Sequence, residues 1–145
     1  MSAGYSGSPL ARKLGIKPGA LVALLPGSGE AALRTAEVLR AQVAPGVRLR
    51  TDLRVREAHD VVVIFVRSEA ALRDLFERAR RRLAVDGGLW VAWPKQSSPL
   101  AGPLRDANVR AHGLASGLVD NKVCAIDEDW SGLRFVVRLE DRPGS

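Results

Sequence analysis

The chain is poor in several residue types, and each shortage excludes a class of protein. Its one cysteine, Cys124, cannot form a disulfide within the chain, which excludes a disulfide-stapled extracellular fold. Uncharged apolar runs such as 61–66 are far too short to cross a bilayer. The first residues also lack the basic and then apolar pattern of a signal peptide. We therefore expect a cytoplasmic protein with no membrane partner.

Lysine is also scarce, with 4 lysines among the 22 basic residues, although the formal net charge is +6. A basic balance is one mark of nucleic-acid binding. The arginines, however, are spread from Arg12 to Arg142. Their tightest cluster, 78–82, ends a predicted helix, where cations complement the helix dipole. The charge pattern therefore argues against nucleic acid as the partner, and a basic nucleic-acid-associated protein is kept only as a third hypothesis.

Apolar periodicity predicts a single α/β domain over residues 1–145. Hydrophobic residues make up 46% of the chain, which is enough for one packed core, and the small polar residues 1–8 precede it as an N-terminal arm. Ser8 followed by Pro9, Ser28 and Ser68 are the expected helix starts. The predicted helices lie at 9–14, 28–42, 69–83 and 104–111. The predicted apolar face of the second helix comprises Ala32, Leu33, Ala36, Val38 and Leu39.

Continuous apolar stretches predict buried strands, and alternating stretches predict strands with an exposed face. Buried strands are expected at 20–25, 61–66 and 89–93, a turn at 86–88, an exposed strand at 47–53, and a hairpin formed by 118–126 and 133–139. Strands that alternate with helices predict a three-layer domain with a mostly parallel sheet of about six strands and a C-terminal antiparallel hairpin. The loops from strand to helix then meet at one edge, where such folds bind ligands.

Several segments resemble the Rossmann-like fold of S-adenosylmethionine-dependent methyltransferases in a trimmed form. Lys17-Pro18-Gly19 precedes the first strand, and Pro26-Gly27-Ser28-Gly29 follows it like a Gly-rich cofactor loop. Asp60 with the strand behind it resembles the fourth methyltransferase strand, and Asp86-Gly87-Gly88 resembles the turn before the fifth. This resemblance implies S-adenosylmethionine as the cofactor.

The whole chain more closely resembles a family of small bacterial proteins that is classed as a domain of unknown function. The segments that carry this resemblance are Gly4-Tyr5-Ser6, Pro9-Leu10, 14–19, 90–95, 117–127 and 130–133. The resemblance implies the Rossmann-like fold and no particular activity.

The chain departs from the methyltransferase pattern where the cofactor would be held. Leu24 and Leu25 stand at the strand end, where methyltransferases have an acidic residue, and Pro26 removes a backbone donor. Asp52 and Glu57 are the nearest acidic residues for a ribose, and neither is well placed to hold one. We therefore name no cofactor, and S-adenosylmethionine remains only the one that the resemblance implies.

The two loops at the ligand edge supply the candidate binding residues. Backbone N–H groups at a helix start can hold an anion, but the same loop can be a tight turn in which Ser28 is the N-cap. Lys95 is one of few lysines and follows a buried strand, with hydroxyl groups beside it. The candidate ligand-binding residues are Gly27, Ser28, Gly29, Lys95, Ser97 and Ser98.

Other polar groups offer weaker signals. The acidic turn 127–129 suits a metal or, more simply, a solvated turn, and no His lies near it in sequence. Trp130 either packs back onto the sheet or marks an interaction surface. Asp120 and Lys122 lie two apart on a strand and are expected to share a face. Cys124 is expected to be an inert core thiol, and His59 and His112 have no partners with catalytic or metal-ligand spacing.

No set of acid, base and nucleophile can be assembled from these residues, so no catalytic residue is named. The preferred hypothesis is a non-catalytic binding or interaction module on a degenerate methyltransferase-like scaffold. The alternative is a small enzyme or binder that uses a nucleotide-like or anionic ligand at the 26–30 and 94–98 loops. The partner is thus left open between a small anionic ligand and a protein.

Overall fold

The computed structural model describes residues 9–27 and 29–143. The predicted arm, residues 1–8, lies outside the described residues. In chain order the elements are helix α1 (Leu10–Lys13), strand β1 (Leu21–Pro26), helix α2 (Ala31–Arg40), strands β2 (Arg48–Arg50) and β3 (His59–Phe65), helix α3 (Glu69–Arg82), strand β4 (Leu83–Pro94), helix α4 (Asp106–Ala115), strands β5 (Leu118–Ala125) and β6 (Trp130–Val137), and a 3-10 helix (Leu139–Asp141).

The six strands form one sheet in the order β2-β1-β3-β4-β6-β5. The first four strands of this order pair in parallel, and β6 pairs antiparallel with both β4 and β5. The central strands β1 and β3 are buried along nearly all of their length, as their continuous apolar stretches predict. The predicted mostly parallel sheet with a C-terminal antiparallel hairpin is confirmed.

Each face of the sheet carries its own apolar core. Helices α3 and α4 cover one face, where Phe76 packs edge to face on Phe135 with ring centroids 5.5 Å apart. Helices α1 and α2 cover the other face, where Trp90 of β4 donates to the Leu14 carbonyl at 3.2 Å. The sheet is therefore a central layer with helices on both sides. Among the described residues, no helix has the length and apolar character needed to cross a membrane.

The helix starts show which local signals are sufficient. Ser68 is confirmed as an N-cap, because its hydroxyl oxygen accepts a hydrogen bond from the Ala71 N–H at 3.1 Å. The expected start of α2 at Ser28 is wrong, since Glu30 is the N-cap and the helix begins at Ala31. The predicted apolar face of α2 is only partly right. Ala32, Ala36 and Leu39 are buried, while Leu33 and Val38 are 54% and 47% exposed.

The expected turn at 86–88 is wrong, because these residues belong to β4. The pairing of β3 with β4 runs from His59 opposite Leu83 to Val61 opposite Gly88, so β4 bulges between the two pairs. At Gly87 a Cβ atom would lie 2.8 Å from the His59 carbonyl oxygen. Glycine thus allows the bulged strand to lie directly against its neighbour. The sequence Asp-Gly-Gly fits a turn equally well, so it does not distinguish a bulge from a turn.

A second bulge changes the faces of the terminal hairpin. Asp120 of β5 pairs with Phe135 of β6, and Lys122 pairs with Arg134. The two β6 residues are consecutive, whereas the two β5 residues are separated by Asn121. Asn121 is the extra residue. The expectation that Asp120 and Lys122 share a face is therefore wrong, since their partners Phe135 and Arg134 point to opposite sides of the sheet.

Candidate functional site

The loop after β1 is tied to β3 at its first residue. The Gly27 N–H donates to the Phe65 carbonyl at 2.9 Å, and a Cβ atom at Gly27 would lie 2.3 Å from that oxygen. The ladder between β1 and β3 therefore continues through Gly27. Because Pro26 has no N–H and the N–H of Gly27 is used, these two residues offer no donor to an anion.

Ser28 and Gly29, the other candidate residues of this loop, remain predicted ligand-binding residues. Ser28 lies outside the described residues. Gly29 adopts a left-handed backbone with φ +75°, and apart from its own chain neighbours no described residue has an atom within 4 Å of the position that its Cβ would take. Glu30 caps α2 without a side-chain hydrogen bond. The N-terminus of α2 therefore retains open space near Gly29.

The second loop, 94–98, is held mainly by hydrogen bonds to backbone groups. The Lys95 N–H donates to the Asp129 carbonyl at 2.8 Å, and the Lys95 carbonyl accepts from the Ser98 N–H at 3.0 Å. The Ser98 hydroxyl oxygen accepts from the Leu100 N–H at 3.0 Å, and Ser98 is buried, while Ser97 is exposed. Ser98 thus stabilises the turn, and the loop presents Lys95 at the end of β4.

Lys95 lies in a groove of about 410 Å³ between the carboxyl end of β4 and the start of α4. Its walls combine the apolar side chains of Trp93 and Val123 with polar groups, and Val123 is 61% exposed. We call this the Lys95 groove. It is lined by Trp93, Lys95, Gln96, Arg105, Asp106, Ala107, Val123 and Ser131.

Of the predicted ligand-binding residues that the structure describes, only Lys95 lines the groove. Neither Ser97 nor Ser98 lines it, and no described residue of the 26–30 loop does. Strand β3 lies between β1 and β4 and separates the two loops. The Lys95 groove therefore includes Lys95 and not Gly27. The hypothesis that both residues belong to one ligand site stays a prediction.

Arg105 is the second cation of the groove, and the sequence did not suggest it as a binding residue. It is the N-cap of α4, and its N–H donates to the Asn108 side-chain oxygen at 2.6 Å. Its guanidinium donates to the Leu104 carbonyl at 3.1 Å and to the Gly102 carbonyl. An arginine is not a usual N-cap, so only the Asn three residues later could have pointed to this helix start.

The acidic turn and Trp130 have structural roles. The Asp127 carboxylate accepts from the N–H groups of Asp129 and Trp130 at 2.8 and 2.9 Å. Among the described residues, no three His, Cys, Asp or Glu side chains are grouped as metal ligands. Trp130 is 2% exposed and packs edge to face on Phe65 at 5.4 Å. Its ring packs back onto the sheet and cannot form a surface contact in this conformation, so it is withdrawn as an interaction residue.

Burial shifts the pKa of the one cysteine and of both histidines, which were considered above as possible reactive groups. Burial raises the pKa of the Cys124 thiol, which disfavours the thiolate. Burial lowers the pKa of both His59 and His112. His59 is fully buried at the start of β3, and His112 stacks edge to face on Phe76 at 5.0 Å. None of the three lines the Lys95 groove.

The arginine cluster at the end of α3 is largely paired with acids on the same helix. Arg80 and Arg81 both bind the Glu77 carboxylate, and these hydrogen bonds lower the pKa of Glu77 to about 2. Arg78 approaches Asp74 at 3.5 Å. These exposed pairs within one helix are typical of a solvated face and leave less free positive charge for a phosphate backbone.

The comparisons with known proteins agree with this fold. A family model described as "Protein of unknown function (DUF3052)" matches residues 11–139. No curated protein matches the chain in sequence.

Solved structures resemble the fold over most of the chain. A methyltransferase dependent on S-adenosylmethionine from Aquifex aeolicus is 14% identical, with a TM-score of 0.61 over 89% of this chain and 88% of that one. Aeropyrum pernix fibrillarin, with natively bound S-adenosyl-L-methionine, is 16% identical, with a TM-score of 0.60 over 92% and 70%. A TehB-like methyltransferase from Corynebacterium glutamicum is 14% identical, with a TM-score of 0.55 over 94% and 91%. These likenesses establish a methyltransferase-like Rossmann fold and no activity.

Proposed function

Since the chain belongs to the DUF3052 family of proteins of unknown function, we propose from its own residues that it is a non-catalytic binding module on a methyltransferase-like scaffold. The observation that carries this proposal is the hydrogen bond from the Gly27 N–H to the Phe65 carbonyl. In a loop that cradles a nucleotide-type ligand, backbone N–H groups point at the ligand. Here that N–H closes the sheet instead.

The side chains around this edge fit S-adenosylmethionine poorly. Leu24 and Leu25 at the end of β1 and Trp93 at the end of β4 are at most 5% exposed, and each belongs to one of the two apolar cores. The side chains of these residues supply no acceptor for a cationic sulfonium or an amino group. The burial of these three side chains supports the proposal that the cofactor edge is closed.

The acidic residues nearest to β2 are engaged elsewhere. Asp52 accepts from the Arg54 N–H at 3.0 Å and lies 3.6 Å from the Arg50 guanidinium. Glu57 forms a two-pronged hydrogen bond with Arg48, with both contacts at 2.9 Å. A ribose at this edge would therefore compete with existing pairs for both carboxylates. The residues present do not fit the cofactor.

The binding surface that we favour is the Lys95 groove. Its lining includes the exposed apolar side chain of Val123 and two cations, Lys95 after β4 and Arg105 at the start of α4. Apolar walls with a few convergent polar groups are typical of ligand sites. The second candidate function, a binder of a nucleotide-like anion, rests on the same groove, because Lys95 has no side-chain partner among the described residues.

Calorimetric titration with S-adenosylmethionine and S-adenosylhomocysteine tests the primary proposal. We expect no binding heat and no transfer of a labelled methyl group to any added acceptor. A dissociation constant below about 100 μM for either compound would contradict the proposal that the cofactor edge is closed.

Titration with AMP, followed by backbone amide shifts in NMR spectra, tests the second candidate. If AMP binds in the groove, the amide signals of Gln96 and Val123 should shift during the titration. Lys95→Gln should then weaken the affinity for AMP about tenfold or more. Lys122→Gln is the matched control, because Lys122 lies on the neighbouring hairpin and does not line the groove. Absence of these shifts would remove the nucleotide-like ligand and leave the groove as a surface for another partner.

A further inference from the structure

A second cavity, of about 390 Å³, lies at the opposite edge of the sheet from the Lys95 groove. Its wall is the turn around Lys17 and Gly19 that leads into β1, and its rim includes Asp60 of β3 and Asp86 of β4. These residues stand at the amino ends of the parallel strands. Arg134 of β6 reaches the same space, so we call it the Arg134 cavity.

The backbone of β4 makes room for the Arg134 guanidinium. A Cβ atom at Gly88 would lie 2.3 Å from Nε of Arg134, and the closest atoms around that position all belong to the Arg134 side chain. Gly88 therefore allows the arginine to lie across β4 on the face that carries α1. The Arg134 side chain reaches the cavity because residue 88 is glycine. A larger residue there would occupy the same space as the guanidinium.

Arg134 is partly buried without an acidic partner. Its one hydrogen bond, from Nη1 to the Asn121 side-chain oxygen, is long at 3.4 Å, and within the described part of the chain no carboxylate forms an ion pair with it. Burial lowers its pKa, and the positive charge of Arg142 acts in the same direction. A guanidinium withdrawn from water without a counterion is unfavourable, and an anionic group in the cavity would relieve this cost.

The cavity also holds carboxylates that do not neutralise this cation. The Asp60 carboxylate is fixed by one oxygen, which accepts from the Leu21 N–H at 2.8 Å, so the other oxygen is left for the cavity. Asp86 is exposed at the rim. Neither carboxylate forms an ion pair with Lys17 or Arg134 among the residues that the structure describes, although all four line one space. Opposite charges thus face the cavity and stay apart.

We propose that the Arg134 cavity binds a small zwitterion of the free amino acid type. The ligand carboxylate contacts Arg134 and Lys17, and its ammonium group contacts Asp60 and Asp86. The lining has two cations and two carboxylates, so a simple anion would meet repulsion as well as attraction, and a zwitterion satisfies both sets. This site is separate from the Lys95 groove and from the Gly-rich loop after β1.

Thermal unfolding of the full chain with each standard L-amino acid at about 10 mM tests the site, because a ligand of the folded state raises Tm. We expect at least one amino acid to raise Tm, whereas sodium acetate and ethylammonium chloride at the same concentration do not. Failure of every amino acid to raise Tm would overturn the proposal. An equal rise with acetate alone would also overturn it in favour of a simple anion site.

Two variants locate the effect. Gly88→Ala keeps every charge but displaces the guanidinium, and Asp86→Asn removes one carboxylate at an exposed position where folding is not at risk. Each is expected to weaken amino acid binding about tenfold or more. Arg73→Gln, on the exposed face of α3, is the control and should bind normally. Unchanged binding by Asp86→Asn would overturn the proposal, whatever the outcome at Lys95 or with S-adenosylmethionine.

Discussion

The Gly27 N–H donates to the Phe65 carbonyl at 2.9 Å, so the ladder between β1 and β3 runs one residue past the end of β1. This contact changes the meaning of the Gly-rich loop. A glycine in such a loop is usually explained by the close approach of a ligand. In this chain the close approach is made by the backbone of the neighbouring strand.

Gly27→Ala is expected to destabilise the protein by about 3 kcal/mol, because the new Cβ would press on a backbone oxygen that cannot move without opening the sheet. Gly29→Ala is the matched control in the same loop. It meets open space and only the left-handed backbone penalty, about 1 kcal/mol. Urea unfolding measures both changes. Equal losses would show that the loop does not depend on the contact with Phe65.

Gly113 in α4 predicts a substitution that runs against helix propensity. Alanine in a helix interior normally gains about 1 kcal/mol over glycine. At Gly113, however, a Cβ atom would lie 1.9 Å from the buried ring of Phe135. We expect Gly113→Ala to cost about 2 kcal/mol in unfolding free energy through overpacking.

The partner substitution identifies the cause of that loss. Phe135→Leu removes the ring edge, so Gly113→Ala should cost less in the Phe135→Leu background than in the parent chain, by about 1 kcal/mol. Strict additivity of the two changes in a double-mutant cycle would contradict the overpacking explanation.

Asp127 organises the hairpin turn through backbone contacts, and this predicts a stability effect without any metal. Asp127→Ala leaves the N–H groups of Asp129 and Trp130 without their acceptor and should cost about 1 kcal/mol. Glu128→Ala next to it should stay within about 0.5 kcal/mol of the parent. Both values come from chemical unfolding with and without a chelator. A larger effect of Glu128→Ala, or a loss caused by the chelator, would favour a metal-binding turn instead.

The success of the sequence predictions follows how local each determinant is. The start of α3 was predictable because Ser68 and the N–H that it accepts lie three residues apart. The buried strands were predictable because both of their faces are apolar. The bulges at Gly87 and Asn121 were not, since each depends on the register with another strand. Arg134 gave no signal, because one arginine in an alternating strand is typical of a solvated face.

The candidate site divides in the same way. Lys95 was predictable from its place after a buried strand, and it does line a groove. The use of the Gly27 N–H was not predictable, since its acceptor, Phe65, belongs to a strand far away in sequence. A loop's residue types indicate what it can donate, and only the packing shows whether the donors are already used.

His59 predicts how stability changes with pH. Burial lowers its pKa below the ordinary value of 6.5, although the carbonyls of Glu57 and Arg82 and the Asp60 carboxylate oppose part of this shift. Burial also lowers the pKa of His112. Below about pH 6.5 the unfolded chain therefore binds protons that the folded chain takes up only at lower pH, so stability falls as the pH falls. Above about pH 7.5 both states are neutral at these rings, and the two histidines contribute no slope.

His59→Leu should flatten the decline in unfolding free energy between about pH 7 and pH 5, because an apolar side chain in the same buried position has no proton to bind. His112→Gln should remove a separate part of the decline, because this ring belongs to α4 and packs against Phe76 of α3. The carboxylates Asp52, Glu57 and Glu77 have lowered pKa values, so their contributions are lost only at more acidic pH. Urea unfolding at several pH values separates these windows. A decline that persists unchanged in His59→Leu would mean that the buried ring binds its proton in the folded state as readily as in the unfolded one.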